Sequence, residues 1–167
     1  MAIVQLPANL TLLRPRNGFR GHVRQRPTAL APIVSRRELL ERLETIGELA
    51  PHAPLSFLLV RVEGLDEVSA TPFSPRQIMG MIGMRIIALT RPTDTVGEYA
   101  GNSFGIVLQG AGATAAAAVA SRVSFHLAQL RDGLGIETKA LVYAATGNGL
   151  NAELLPVAAI DSLDDCC

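Results

Sequence analysis

The order of periodic segments predicts an α+β fold, an α/β sandwich built on a ferredoxin-like βαββαβ core. Three observations carry this. Residues 55–62 form a continuous apolar run, as in a strand buried on both faces. Two helical stripes, over 77–90 and 113–131, repeat apolar residues at three- and four-residue steps. Between them, two period-2 runs flank Ala100-Gly101-Asn102-Ser103, whose small, φ-permissive residues suit a tight reversal, so 94–108 reads as a β-hairpin. With a closing strand over 136–144, the order is strand, helix, hairpin, helix, strand. It predicts an antiparallel sheet with helices on one face, strand 55–62 central and the hairpin beside it.

Each element has its own signals. Residues 1–26 read as a leader, and 27–34 as extended chain. Ser35-Arg-Arg-Glu38 has capping-box spacing, and Leu39, Leu40, Leu43, Ile46 and Leu49 continue an amphipathic helix to about Ala50. Pro51 and Pro54 end it. Residues 63–75 form a polar connection. Ile78, Met79, Ile82, Ile86 and Leu89 make the next stripe, with Pro92 just beyond it. Ala116, Val119, Ala120, Val123, Leu127 and Leu130 make the third, stopped by Asp132-Gly133. Thr146-Gly-Asn-Gly149 reads as a turn and 153–163 as a short terminal helix.

Composition narrows the function classes. The chain has 167 residues, 49% apolar and 18% charged, which suits one globular domain and not a disordered chain. No apolar run is long enough to span a bilayer. The first thirteen residues lack a basic leading region, so no signal peptide is expected. Net charge is zero, yet Arg14, Arg16, Arg20, Arg24 and Arg26 stand without any acid in 1–26. Such a leader is either a docking arm for an anionic surface or a solvated tail. The tail is favoured, and nucleic acid is not an expected partner, because no aromatic residues interleave the arginines. The two cysteines, Cys166 and Cys167, are adjacent and terminal, a spacing that matches neither a staple nor a metal site. A reducing cytoplasm fits this cysteine usage.

Arg91-Pro-Thr-Asp94, then five residues, then Ala100-Gly-Asn-Ser-Phe104 resembles the signature hairpin of the GGDEF family, the diguanylate cyclases, whose consensus is R-x-x-D, five residues and G-G-D-E-F. Gly101 and Phe104 match; the two acids are replaced by Asn102 and Ser103. Thr28-Ala-Leu-Ala-Pro-Ile-Val-Ser-Arg36 resembles the family's opening motif through Leu30, Ile33 and Arg36. Arg61-Val-Glu-Gly-Leu-Asp66 stands where the family has D-[IV]-D-x-F-K, Ala120-Ser-Arg-Val123 matches A-x-R-[IL], and Ala159–Asp164 faintly matches the closing motif. The resemblance covers about 28–164 and implies a cyclase-type palm domain over 27–167.

It also implies lost chemistry. The family condenses two GTP molecules with metal ions held by hard oxygen ligands. Arg61 and Ser103 stand at the ligand positions, Asn102 replaces the hairpin Asp, and Ser69 and Arg76 replace the guanine-holding pair. Glu63 and Asp66 remain acidic nearby. No catalytic residue, metal ligand or cofactor is therefore expected, and cyclase activity is expected to be absent. What survives is the R-x-x-D inhibitory site: Arg91 and Asp94, joined by Arg122, resemble a set that recognises guanine and phosphate. The expected function is an inactive domain that senses cyclic di-GMP, with Arg91 and Asp94 exposed and Arg122 near. The alternative is a nucleotide-independent module that docks on a signalling protein or a second copy; Arg91 and Asp94 would then be a local ion pair or cap, and Arg122 an exposed charge.

Overall fold

The computed structural model describes residues 33–65, 72–135 and 138–164. The leader 1–26, Thr28, Leu30, Asp66, Ser69, Ile136 and the two cysteines lie outside the described residues. Four strands form one antiparallel sheet: β1 (Pro54–Glu63), β2 (Thr95–Ala100), β3 (Ser103–Gln109) and β4 (Lys139–Asn148), in the order β2-β3-β1-β4. Strand β1 is internal and pairs with both β3 and β4. The hairpin lies beside it, turning at Gly101 and Asn102.

Helices α1 (Arg36–Leu49), α2 (Pro75–Leu89), α3 (Ala113–Leu134) and α4 (Leu155–Asp164) cover both faces of the sheet, not one. The period-2 pleat sorts β1 between them. Leu58, Val60 and Val62 face Ile78, Ile82 and Ile86 of α2 and Val123 and Leu127 of α3. Leu55, Phe57 and Leu59 face Leu39 and Leu43 of α1 and Leu155 and Ala159 of α4. So α2 and α3 share a face as expected, and the apolar run at β1 is buried on both sides because each side has its own helix pair. Leu39 and Leu43 are fully buried, each worth about 1.5–3 kcal/mol relative to exposure.

α1 sits close to the sheet because two glycines face each other beneath it. Gly97 pairs with Gly105 across β2 and β3. A Cβ at Gly105 would come within 2.4 Å of Leu39 Cδ2 and 2.7 Å of Phe57 Cζ. Residue Val34, just before α1, joins β2 through a parallel bridge to Gly97, and so anchors the entry to the helix.

Local signals differ from the sequence reading in several places. Ser35 Oγ accepts from the Glu38 N–H at 3.3 Å, but the Glu38 carboxylate reaches forward to Arg42 at 2.6 Å, so the box at α1 is half made. The complete box is at α2, between Ser74 and Gln77. α3 passes through Asp132-Gly133 and ends at Gly135, whose φ of 62° lies in the left-handed region glycine tolerates. β4 starts later and runs further than 136–144. Thr146 and Gly147 are strand and not turn, because they pair with Ser56 and Leu55 of β1. A 3₁₀ turn, Gly149–Leu154, then leads into α4.

Candidate functional site

α2 ends at Leu89, and the chain must reverse before β2. Asp94 closes that reversal: its carboxylate Oδ2 accepts from the Arg91 N–H at 2.8 Å, and its own N–H donates to the Arg91 carbonyl at 3.0 Å. The R-x-x-D spacing is thus first a turn lock. Asp94 is only 8% exposed, contrary to the expectation of an exposed acid. The reason is geometric: a carboxylate that folds back onto the backbone of its own turn lies beneath that turn. Burial raises its pKa, while the Arg91 N–H and the charges of Arg91 and Arg122 pull it back down.

Arg122 comes from α3, which packs against α2. Its Nη2 donates to the Leu89 carbonyl at 2.8 Å, which satisfies one of the orphan acceptors at the end of α2. The structure therefore brings Arg91, Asp94 and Arg122 to one corner. Arg91 and Arg122 are exposed there, and no carboxylate forms an ion pair with either among the described residues. This corner presents two guanidinium groups over a buried acid.

The hairpin tip is held differently. Asn102 Nδ2 donates to the Val62 carbonyl at 3.0 Å, and the Val62 N–H donates to the Asn102 carbonyl at 2.9 Å. Ser103 is buried and its hydroxyl donates to Asn102 Oδ1 at 3.3 Å. Arg61 lies directly opposite Ser103 in the sheet, with its Nε 3.8 Å from Glu63 Oε1 and both side chains part exposed. This donor set does not fit a divalent cation. A guanidinium offers no lone pair, the Ser103 hydroxyl is a neutral ligand that brings no charge to offset a divalent cation, and no group of three or more His, Cys, Asp or Glu suited to a metal occurs among the described residues. Arg76, in the first turn of α2, lines a cavity beside the hairpin. The backbone commitments of Asn102 and Arg122 were not anticipated from sequence, whereas a cap was one of the alternatives open for Asp94, and its bond to the Arg91 N–H is of that kind.

No protein-family model and no curated protein matches the chain. Solved structures do. The GGDEF domain of YfiN (TpbB) from Pseudomonas aeruginosa superimposes with a TM-score of 0.62 at 20% identity, over 76% of this chain and 85% of that one. The coiled coil and GGDEF domain of DgcB from Caulobacter crescentus, in complex with c-di-GMP, gives 0.63 at 14% identity over 81% and 79%. The diguanylate cyclase SiaD from Pseudomonas aeruginosa, in complex with its activator SiaC, gives 0.65 at 21% identity, over 82% of this chain and 57% of that one. The fold is that of GGDEF diguanylate cyclase domains. Among the described residues, no helix is long and apolar enough to cross a membrane.

Proposed function

We propose that this chain is a catalytically inactive GGDEF-like signalling domain that acts as a cyclic di-GMP receptor through Arg91 and Arg122, with Asp94 holding the turn that presents Arg91. The observation that carries the reading is the corner itself: two exposed guanidinium groups without carboxylate ion pairs, brought together from different elements. A guanidinium fork suits both the O6/N7 edge of guanine and a phosphodiester. The DgcB structure is one of a GGDEF domain with this ligand. Loss of cyclase activity is argued from the donor set around Arg61 and Ser103, which supports no metal-assisted phosphoryl transfer.

The test is calorimetry with cyclic di-GMP on the wild type and on Arg91→Ala. Loss of a bidentate contact is worth about 1–3 kcal/mol, so binding weakens by about 5–150-fold. The melting temperature of the free protein stays nearly constant, because an exposed cation contributes little to folding. Incubation with GTP and Mg²⁺ yields no cyclic dinucleotide; turnover above a mock-purified control would overturn the inactive assignment.

One observation favours the second reading, a nucleotide-independent interaction module. Leu150, Leu154 and Val157 are 63%, 58% and 54% exposed, and Leu49 is 80% exposed. The Leu150 N–H donates to the Pro51 carbonyl at 3.0 Å, which places this stripe beside the end of α1. Exposed apolar groupings of this kind mark protein contacts. If cyclic di-GMP fails to bind at high concentration while Leu154→Asp abolishes self-association in sedimentation, this reading replaces the first.

A further inference from the structure

The 3₁₀ turn and α4 expose an apolar stripe. Leu150, Leu154 and Val157 recur at steps of four and three residues, a spacing that keeps them on one side of a helical segment. Each is more than half exposed. Asp161 continues the stripe one turn beyond Val157, and Glu153 stands one turn before it, both exposed. α1 packs directly against this turn: a Cβ at Gly47 would meet the Gly149 carbonyl oxygen at 2.7 Å and Ala152 Cβ at 2.8 Å. Glu44 and Glu48 flank Gly47 on α1 and are exposed as well. None of these four acids forms an ion pair among the described residues. Neither 43–49 nor 149–162 contains a lysine or an arginine. The stripe is therefore apolar with a wholly acidic rim.

A surface of this kind fits a segment that is both apolar and cationic, and residues 1–26 have that composition. Ile3, Val4, Leu6, Leu10, Leu12 and Leu13 come first, followed by Arg14, Arg16, Arg20, Arg24 and Arg26, with no acid among them. We propose that this leader docks in cis on the stripe, its apolar half over Leu150, Leu154 and Val157 and its arginines on the four carboxylates. Composition alone leaves the arginines between a docking arm and a solvated tail; the acidic rim supplies the anionic surface that a docking arm needs. The chain is long enough to reach it. Val34 lies beside β2 at the entry to α1, and the 14 residues of α1 span about 21 Å. Residues 27–33, at about 3.3 Å each when extended, cover that distance. The tether keeps the leader at high effective concentration, so individually weak surface pairs suffice. Two copies meeting stripe to stripe would bring like-charged rims together, and an anionic membrane or nucleic acid would be repelled by the same rim. The docking rests on neither reading of the function, and it opens the stripe to an outside partner only when the leader is displaced.

The chain has no tryptophan, so Leu154→Trp, at an exposed position, gives a single reporter of whether the stripe is covered. In the full chain at low ionic strength, acrylamide should quench this reporter about five-fold less than in the same chain with its leader arginines changed to glutamine. The protection is independent of protein concentration and falls as salt is added. Charge reversal separates docking from any effect on folding. Glu153→Arg with Asp161→Arg removes the protection, and Arg14→Glu with Arg16→Glu, added to that pair, restores part of it. Trypsin reads the docking without the reporter. Cleavage after Arg20 and Arg24 in the unaltered chain should be about five-fold slower than in a chain with Glu44, Glu48 and Glu153 changed to glutamine and Asp161 to asparagine. Equal quenching with and without the leader arginines would overturn the proposal, and so would equal cleavage in the two chains. Protection that appears only where sedimentation shows a dimer also overturns it, and assigns the stripe to a second copy.

Discussion

The N-terminal and C-terminal ends of α2 each gather charged side chains, but they use them differently. At the C-terminal end, Asp94 and Arg122 are tied to backbone groups of Arg91 and Leu89, and Arg91 is free to reach outward. At the N-terminal end, the hairpin residues Asn102 and Ser103 are the tied ones, and Arg36 and Arg76 face an open cavity. Residue type alone does not separate these roles. A side chain whose polar atoms are taken up by backbone, as at Asp94, is part of the architecture, while a guanidinium with N–H groups to spare, as at Arg91 and Arg122, is able to meet a ligand. On this view Asn102 is an anchor: its amide donates to the Val62 carbonyl and pins the hairpin tip to the end of β1.

An acid placed at position 102 breaks that half of the comparison most severely. Asn102→Asp removes the donor to the Val62 carbonyl and sets a carboxylate against it. A part-buried acceptor left unsatisfied costs about 1–3 kcal/mol, before any repulsion is counted. We expect urea denaturation to show a loss of that size, and Asn102→Ala a smaller loss at the low end. If Asn102→Asp is as stable as wild type, the tip is not pinned by this contact, and the contrast between the two ends disappears.

The sequence reading recovered the order of the core and the position of the hairpin, because both follow from short-range periodicity. It missed the second helical face. The stripe of Leu39 and Leu43 says that α1 buries one side, but not against which side of the sheet; that depends on the facing glycines Gly97 and Gly105, which admit the helix. It misplaced β4 for a related reason. Thr146-Gly-Asn-Gly149 has turn composition, yet the ladder to β1 supplies hydrogen bonds that outweigh local preference. Of the candidate site, the grouping of Arg91, Asp94 and Arg122 was readable from the resemblance. The burial of Asp94 was not, because it arises from a side chain folding back on its own turn.

Arg122→Ala sharpens the other half of the comparison and has a smaller effect on folding. It leaves the Leu89 carbonyl to water at an exposed position, which costs at most about 1 kcal/mol. Binding of cyclic di-GMP, however, falls by several-fold on the proposed reading. Arg122→Lys separates the two roles. An ammonium still donates to the carbonyl and restores stability, but it lacks the planar fork and does not restore affinity. If lysine restores both, Arg122 serves only as a point charge.

The smallest expected effect is a pH dependence at Asp94. Its pKa is raised above the ordinary 3.8, with burial the leading cause. The folded state therefore holds this proton at pH values where the unfolded state has released it. Between 3.8 and the raised value, stability falls as pH rises, and above that window the loss is complete. Asp94→Asn keeps an oxygen for the Arg91 N–H but does not titrate. Measured by urea denaturation between about pH 3.5 and 7, the stability of Asp94→Asn minus that of wild type should rise through the window and then level off. Exposed acids cancel in this difference because both proteins carry them. A difference that falls with pH would mean that the charges of Arg91 and Arg122 outweigh burial. Asp94 would then belong with the arginines as a charged partner at the site, and not beneath them as the lock of their turn.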